Sequence, residues 1–281
     1  MDEPGLPAMA SLEPIRGIAR FRWWIHLGVL TLYPLTLGFV GFLSLDKRNQ
    51  PMLPTDTRLL LFVLTLEMAL FAAVFAIAWA ASRATASELL LRWKGGFRPV
   101  IRGVLYSIGL RIVVMVFTVM AAIIVVAASG GRTQAIEKMR PQVEQLVDAK
   151  ALVDKPAYFF LNLTVVSFVV AGLREELWRA GILAGMAALF PGLARSSKGP
   201  WVAVTFAAII FGLGHLTQGW GGVAMTTILG LGLGGIIVYQ RSIWEAVLAH
   251  GFFNATTFVM VYGLARFQPQ MLPGVDATIG F

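Results

Sequence analysis

The chain has 281 residues and is strongly apolar: 57% of its residues are hydrophobic, only 14% are charged, and the mean hydropathy is +0.75. A soluble domain carries about 25% charged residues, so this composition excludes the soluble globular class and indicates a multi-pass membrane protein. Loops that face anionic lipid headgroups explain the net charge of +8, and nucleic-acid binding is not needed. Because the chain has no cysteine, disulfides, a thiol nucleophile, cysteine-bound metal and lipidation on cysteine are excluded.

Residues 1–22 form a polar segment that we interpret as a retained cytoplasmic tail. Arg16, Arg20 and Arg22 stand just ahead of the first apolar stretch. A signal peptide is not expected, since no short apolar core is followed by a small-residue cleavage site.

The rest of the chain predicts an all-α, polytopic membrane helix bundle with about eight transmembrane helices, because a helix needs about 20 apolar residues to cross the bilayer. The predicted spans are Trp23–Leu43, Leu59–Ala81, Gly103–Ala128, Ala157–Gly172, Glu176–Phe190, Trp201–His215, Gly222–Gln240 and Ile243–Leu264. The fourth and fifth spans could instead form one long broken helix, because Arg174, Glu175 and Glu176 interrupt the apolar sequence there.

These spans divide the chain into regions. After the tail come three transmembrane helices (residues 23–128), an amphipathic loop (129–156), a helical core (157–264) and a C-terminal tail (265–281). Apolar residues recur at helical spacing in the loop, which predicts an amphipathic helix lying on the membrane surface. They are Ile136, Met139, Val143, Leu146 and Val147.

Orientation is predicted from basic residues in short loops, since these favour the cytoplasmic side. The densest group follows the second span and comprises Arg83, Arg92, Lys94, Arg98 and Arg102. The loop after the third span also carries five basic residues, but acidic residues accompany them. We therefore expect a plasma-membrane protein with a cytoplasmic N-terminus.

A glycine-rich run occupies residues 230–235 in the seventh predicted span. Small residues four apart let helices approach closely. A phosphate-binding loop is not expected, because no lysine follows in the required register.

Ionisable residues within the spans each need a partner or a function, because inserting one costs about 2.5–3.5 kcal/mol. For Glu67 and Arg111 we expect a structural ion pair or hydrogen bonds inside the bundle. Glu245 is interpreted as an exposed carboxylate at a helix start, and His26 as a contact to lipid headgroups.

The remaining polar residues come in helical pairs. Residues four apart are about 40° apart around a helix and share one face. Three pairs have this spacing: Glu175 with Arg179, Phe211 with His215, and His250 with Asn254. A carboxylate, two imidazoles and an amide could supply a base, a group that orients water and donors to an oxyanion.

On three motifs, the chain resembles the CAAX protease and bacteriocin-processing family of intramembrane glutamate endopeptidases, which includes the Ras-converting CAAX prenyl endopeptidases. They are Glu175-Glu176-Leu-Trp-Arg179 followed by Ala180-Gly181, then Phe211-Gly-Leu-Gly-His215, then His250-Gly-Phe-Phe-Asn254. The resemblance spans residues 158–263 and implies an eight-helix fold with a conical, water-filled cavity.

The resemblance also implies the roles of the site residues. Glu175 (or Glu176) and His215 would activate water without a metal or other cofactor. His250 and Asn254 would stabilise the oxyanion, and Arg179 would hold the neighbouring glutamate. The implied partners are the lipid bilayer and a peptide or prenylated protein substrate.

One spacing departs from the family pattern, which places three residues between the glutamate pair and the arginine and a glycine after it. This chain has two, with Ala180 in the glycine place. Alignment on Arg179 puts Arg174 under the first glutamate and makes Glu175 the partner of Arg179. Alignment on the glutamates keeps Glu175 as base and leaves Arg179 three residues from Glu176, and we prefer it because it retains a base.

Three other functions are compatible with some of these features. A zinc protease is disfavoured because only two histidines are available in the motifs and no His-Glu-two-residue-His pair exists. A non-catalytic membrane scaffold or bacteriocin self-immunity protein would retain the same motifs. A transporter is disfavoured because no matching half repeat is visible.

Overall fold

A computed structural model of the chain describes residues 18–44, 53–93, 95–132 and 147–268. The regular elements of these residues are all helices, which confirms the predicted all-α class. Six of the helical segments are long and apolar enough to cross a membrane, and one further apolar helix is shorter. The chain is therefore a multi-pass membrane protein with a helix number close to the expected eight.

Three long helices form the N-terminal part: α1 (Ile18–Leu43), α2 (Thr57–Ser82) and α3 (Arg98–Ala128). Asp56 caps α2 by accepting a hydrogen bond from the Leu59 backbone N–H at 2.8 Å, and Arg83 ends it in the left-handed conformation. α3 begins with Pro99 in its first turn, where a missing backbone N–H has no consequence.

A single continuous segment, Pro156–Leu189, replaces the predicted fourth and fifth spans. It follows α4 (Ala149–Asp154) and comprises α5 (Pro156–Leu161), a π-helix (Asn162–Arg174) and α6 (Glu175–Leu189). The π-helix ends at Arg174, and the chain continues as an α-helix from Glu175. The charged residues therefore lie at the junction of the two helix types. Stretches of π-helix are frequent at functional sites.

The C-terminal part contains the short α7 (Pro191–Ala194), then α8 (Gly199–Gly214), a 3₁₀ turn (Leu216–Gln218), α9 (Gly219–Gln240) and α10 (Trp244–Phe267). The predicted glycine run lies on α9 and packs against α8. A methyl group on Gly230 would come within 3.2 Å of the Ala208 Cα, so the two helices approach as closely as small residues permit.

One end of the bundle is rich in arginine, and we name it the basic end. Here the starts of α1, α3 and α10 meet the ends of α2, α6 and α9. The segment 84–93 packs across this end: the Ile243 backbone N–H donates to the Leu90 carbonyl, and the Trp244 indole donates to the Leu91 carbonyl. The basic residues near it are Arg20, Arg22, Arg83, Arg92, Arg98, Arg102, Arg195, Lys198 and Arg241.

The predicted amphipathic helix lies almost wholly outside the described residues. This applies to Ile136, Met139, Val143 and Leu146, whereas Val147 is described and buried. The outer parts of both predicted tails, residues 1–17 and 269–281, are also outside the described part of the chain.

Two polar residues lie in surroundings that differ from those expected. His26 is fully buried rather than at the headgroups, and its ring nitrogens lie 3.0 Å from the Ala78 and Gly181 carbonyl oxygens. Glu245 is buried rather than exposed, with Oε1 3.7 Å from Arg102. In both cases a neighbouring helix covers the position, which linear distance from the span end does not reveal.

Glu67 and Arg111 make contacts inside the bundle, in agreement with their structural interpretation. Glu67 forms an ion pair with Arg174. Arg111 on α3 donates to the Phe253 carbonyl at 2.5 Å and to the Thr256 hydroxyl at 2.6 Å on α10.

Candidate active site

The centre of the candidate site is a fully buried ion pair on the first turn of α6. Glu176 and Arg179 are both 0% exposed, and a guanidinium nitrogen contacts Glu176 Oε2. The other oxygen of Glu176 lies 2.9 Å from His250 Nδ1 on α10. Because the carboxylate is ion-paired, it accepts, and the imidazole donates from Nδ1. Glu176 thus links Arg179 to His250.

Arg179 pairs with Glu176 and not with Glu175, although the four-residue spacing of Glu175 and Arg179 permits a pair. This pairing is the one expected from the alignment on the glutamates, and the assignment of the base stays a prediction. Successive residues of a helix are about 100° apart, so Glu175 projects to a different side of α6 from Glu176. Arg179 also lies over the Phe211 ring, with 4.7 Å between Cζ and the ring centroid.

Glu175 is the more accessible of the two glutamates, with its side chain 14% exposed. Its Oε1 accepts from Arg174 Nη2 at 3.0 Å. Its Oε2 lies 3.8 Å from His250 Nε2, which is too long for a direct hydrogen bond and short enough for a shared water. Glu175 therefore has one oxygen held and one facing an imidazole.

His215 ends α8, and its Nδ1 lies 2.8 Å from the Phe211 carbonyl oxygen. We assign the proton to Nδ1, because a carbonyl can only accept, and Nε2 then carries the lone pair. The His215 ring packs edge-on against the Phe211 ring, with 4.5 Å between centroids. The described contacts of His215 include no direct pair with either glutamate.

Phe211 joins the parts of the site. Its ring is 6.1 Å from the His250 ring, centroid to centroid, and also contacts Arg179 and His215. The second motif therefore supplies a histidine and an aromatic ring that packs between the two histidines and the arginine.

Asn254 lies one turn after His250 on α10 and is half-buried. Its position follows from the shared face of residues four apart. The structure joins Glu176 directly to Arg179 and His250 and places Glu175 Oε2 3.8 Å from His250 Nε2. His215 is connected to this group through Phe211, and helix register alone relates Asn254 to it.

Two charged residues beside the site were not assigned to it from the sequence. Arg174 precedes the glutamates and Glu67 comes from α2, and the two form an ion pair next to Glu175. A lone carboxylate within a span, such as Glu67, is a signal for a partner on another element, but sequence spacing does not say which arginine pairs with it.

Most polar atoms of the cluster are already bound to one another. Within the described part of the chain, no group of three or more His, Asp or Glu side chains is arranged to hold a metal ion. Glu176 and His250 Nδ1 already bind each other, and Arg179 occupies the second oxygen of Glu176. Glu175 Oε2 and His250 Nε2 are the atoms that face each other without a direct bond.

Comparison with known proteins gives one family match. Residues 157–256 match the family model described as type II CAAX prenyl endopeptidase Rce1-like. The match includes all three motifs and ends two residues beyond Asn254. No curated protein and no solved structure matches the chain.

Proposed function

Since residues 157–256 belong to the CAAX protease and bacteriocin-processing family, we propose that the chain is an intramembrane endopeptidase that hydrolyses a peptide bond with water activated by Glu175. The observation that supports this assignment is the difference in environment between the two glutamates. Glu176 is fully buried and engaged at both oxygens, whereas Glu175 keeps one oxygen facing an imidazole.

In the proposed reaction, Glu175 takes a proton from a water molecule as the water oxygen attacks the scissile carbonyl carbon. His215 orients this water through the lone pair on Nε2. The bound proton is then delivered to the leaving amine as the carbon–nitrogen bond breaks, so the carboxylate is regenerated. A positioned general base of this kind contributes about 10²–10⁴-fold.

The negative charge that develops on the carbonyl oxygen would be stabilised by the third motif. His250 donates from Nε2 when it is protonated, and Glu176 supports the imidazolium from the opposite nitrogen at 2.9 Å. Asn254 supplies an amide donor from the next turn of α10. Donors fixed before the reaction stabilise an oxyanion without reorganisation.

The proposed substrate is a peptide or a prenylated protein presented at the membrane, and CAAX-type prenylated C-termini are the first candidates because the matched family description names them. The protein would act without a metal cofactor. We further propose that it resides in the plasma membrane with its basic end, and hence its N-terminus, in the cytoplasm.

Mapping of new peptide termini tests this proposal. Membranes that contain the chain are compared by mass spectrometry with membranes that contain the Glu175→Gln variant, which controls for the presence of the protein. Termini that depend on Glu175 are expected. The same termini in both samples would instead favour the non-catalytic scaffold or self-immunity function.

A further inference from the structure

The ion pair between Arg174 and Glu67 joins the site to a helix outside the family match. Arg174 is the last residue of the π-helix, and Glu67 lies in the middle of α2. One guanidinium nitrogen of Arg174 contacts Glu67 Oε1, and the other donates to Glu175 Oε1 at 3.0 Å. One arginine is thus shared between two carboxylates from different elements.

With His250 neutral, the charges of this cluster do not balance, whereas the imidazolium that forms 2.9 Å from Glu176 and 3.8 Å from Glu175 in the proposed reaction balances them. Three carboxylates (Glu67, Glu175 and Glu176) face two guanidinium groups (Arg174 and Arg179). The Glu176–Arg179 pair is balanced and fully buried, so the excess negative charge belongs to the group around Arg174. A structural ion pair would need only one carboxylate, and a surplus charge at membrane depth is unfavourable unless it serves a purpose.

The three side chains of the group around Arg174 are partly exposed. The side chains of Glu67, Arg174 and Glu175 are 33%, 13% and 14% exposed, so the pair lies on the open side of the site and does not close it off. When Glu67 shares the guanidinium charge, Arg174 holds Glu175 less tightly, and this carboxylate can still accept a proton. The contact with Arg174 fixes Oε1, and Oε2 is then directed towards His250.

We propose that Arg174 and Glu67 are positioning residues for the base Glu175: Arg174 orients the carboxylate, and Glu67 shares the guanidinium charge, so that Glu175 is not a fully compensated ion pair and can still accept a proton from water. This inference rests on the proposed endopeptidase function. It also assigns a task to α2, which the family match does not cover.

A charge-restoring double variant tests the inference. The full chain, purified in detergent, is assayed with a farnesylated peptide ending in a CAAX sequence. Glu67→Gln leaves Arg174 to neutralise Glu175, so kcat should fall at least about tenfold with little change in KM. In Glu67→Gln/Arg174→Gln the surplus negative charge returns but the orienting contact of Arg174 is lost, so kcat should rise above that of Glu67→Gln and stay below that of the unaltered chain.

Controls separate positioning from packing. Glu245→Gln also removes a buried carboxylate near an arginine, but away from the site, and should leave kcat per folded molecule unchanged. Glu67→Asp keeps the charge and should retain most of kcat. Equal losses in Glu67→Asp and Glu67→Gln, or a double variant no faster than Glu67→Gln, would overturn the inference.

Glu175→Gln in the same assay distinguishes this inference from the proposed function. If Glu175→Gln is inactive and Glu67→Gln is as fast as the unaltered chain, the positioning role is wrong and the protease mechanism stands. If Glu175→Gln cleaves normally, or the unaltered chain cleaves no peptide, both are wrong.

Discussion

Glu176 and Arg179 form an ion pair that is completely shielded from solvent. Removing one partner of such a pair leaves an uncompensated charge in the bundle, and the expected loss of stability is about 3–5 kcal/mol. Glu176→Gln and Arg179→Ala should therefore both lower the thermal midpoint and the detergent-solubilised yield. The double variant should be less destabilised than the sum, because the two residues form one unit. Additive losses would show that the pair does not couple.

Asn254 is predicted to act in the transition state. Asn254→Ala should lower kcat by about 10²–10³-fold with KM nearly unchanged, as loss of an oxyanion donor does in other enzymes. Asn162→Ala is the matched control, since Asn162 is a buried amide whose side chain donates to the Tyr158 carbonyl in the same bundle. A rise in KM at constant kcat would assign Asn254 to substrate binding.

At the scale of the element, His26 connects three helices. Its ring contacts the Ala78 carbonyl and Ser82 hydroxyl of α2 and the Gly181 carbonyl of α6, each at 3.0 Å. His26→Ala should reduce stability by about 1–3 kcal/mol, because these buried groups lose a partner. Ile25→Ala, at a lipid-exposed neighbour, should have little effect on the thermal midpoint. Equal midpoints for both variants would contradict this role.

The elements that could be predicted from the sequence are those with long apolar runs. Helices α1, α2, α3, α9 and α10 follow from such runs, because about 20 apolar residues are what the bilayer requires. The sequence does not decide between two helices and one continuous helical segment around Glu175. It shows charged residues there, but it does not reveal the π-helix that precedes them.

The site was predictable where residues on one helix share a face, and less so where helices meet. The four-residue spacing puts His250 and Asn254 on one face of α10, and the alignment on the glutamates puts Arg179 within reach of Glu176. The depth of His26, the burial of Glu245 and the Glu67–Arg174 pair depend on which helices are neighbours, and no single helix encodes that.

At the scale of the molecule, the clustering of basic residues at the basic end predicts the orientation of the protein in the membrane. Among the described residues, fewer basic side chains lie near the opposite end, and Asp56, Asp148 and Asp154 accompany them. Because the chain lacks cysteine, single cysteines can report the side directly. In intact cells an impermeant maleimide should label Asp154→Cys and should reach Ala86→Cys only after permeabilisation. The reverse pattern would place the basic end outside.

Cleavage should survive strong chelators such as EDTA and 1,10-phenanthroline. Glu176 and His250 bind each other, and Arg174 holds one oxygen of Glu175, which leaves too few free ligands for a catalytic zinc ion with an open position. Activity is measured on the farnesylated peptide before and after chelation. Loss of cleavage that added Zn²⁺ specifically restores would identify a metalloprotease.

The measurement that tests the central claim most directly compares the two glutamates in one assay. Glu175→Gln and Glu176→Gln are purified, shown to be folded by yield and thermal midpoint, and given the farnesylated peptide. Glu175→Gln should lose at least about 10²-fold in cleavage, since an amide cannot take a proton from water, whereas Glu176→Gln should keep partial activity or show reduced yield. An inactive Glu176→Gln beside a normally active Glu175→Gln would make Glu176 the base, and full cleavage by both would contradict the glutamate mechanism.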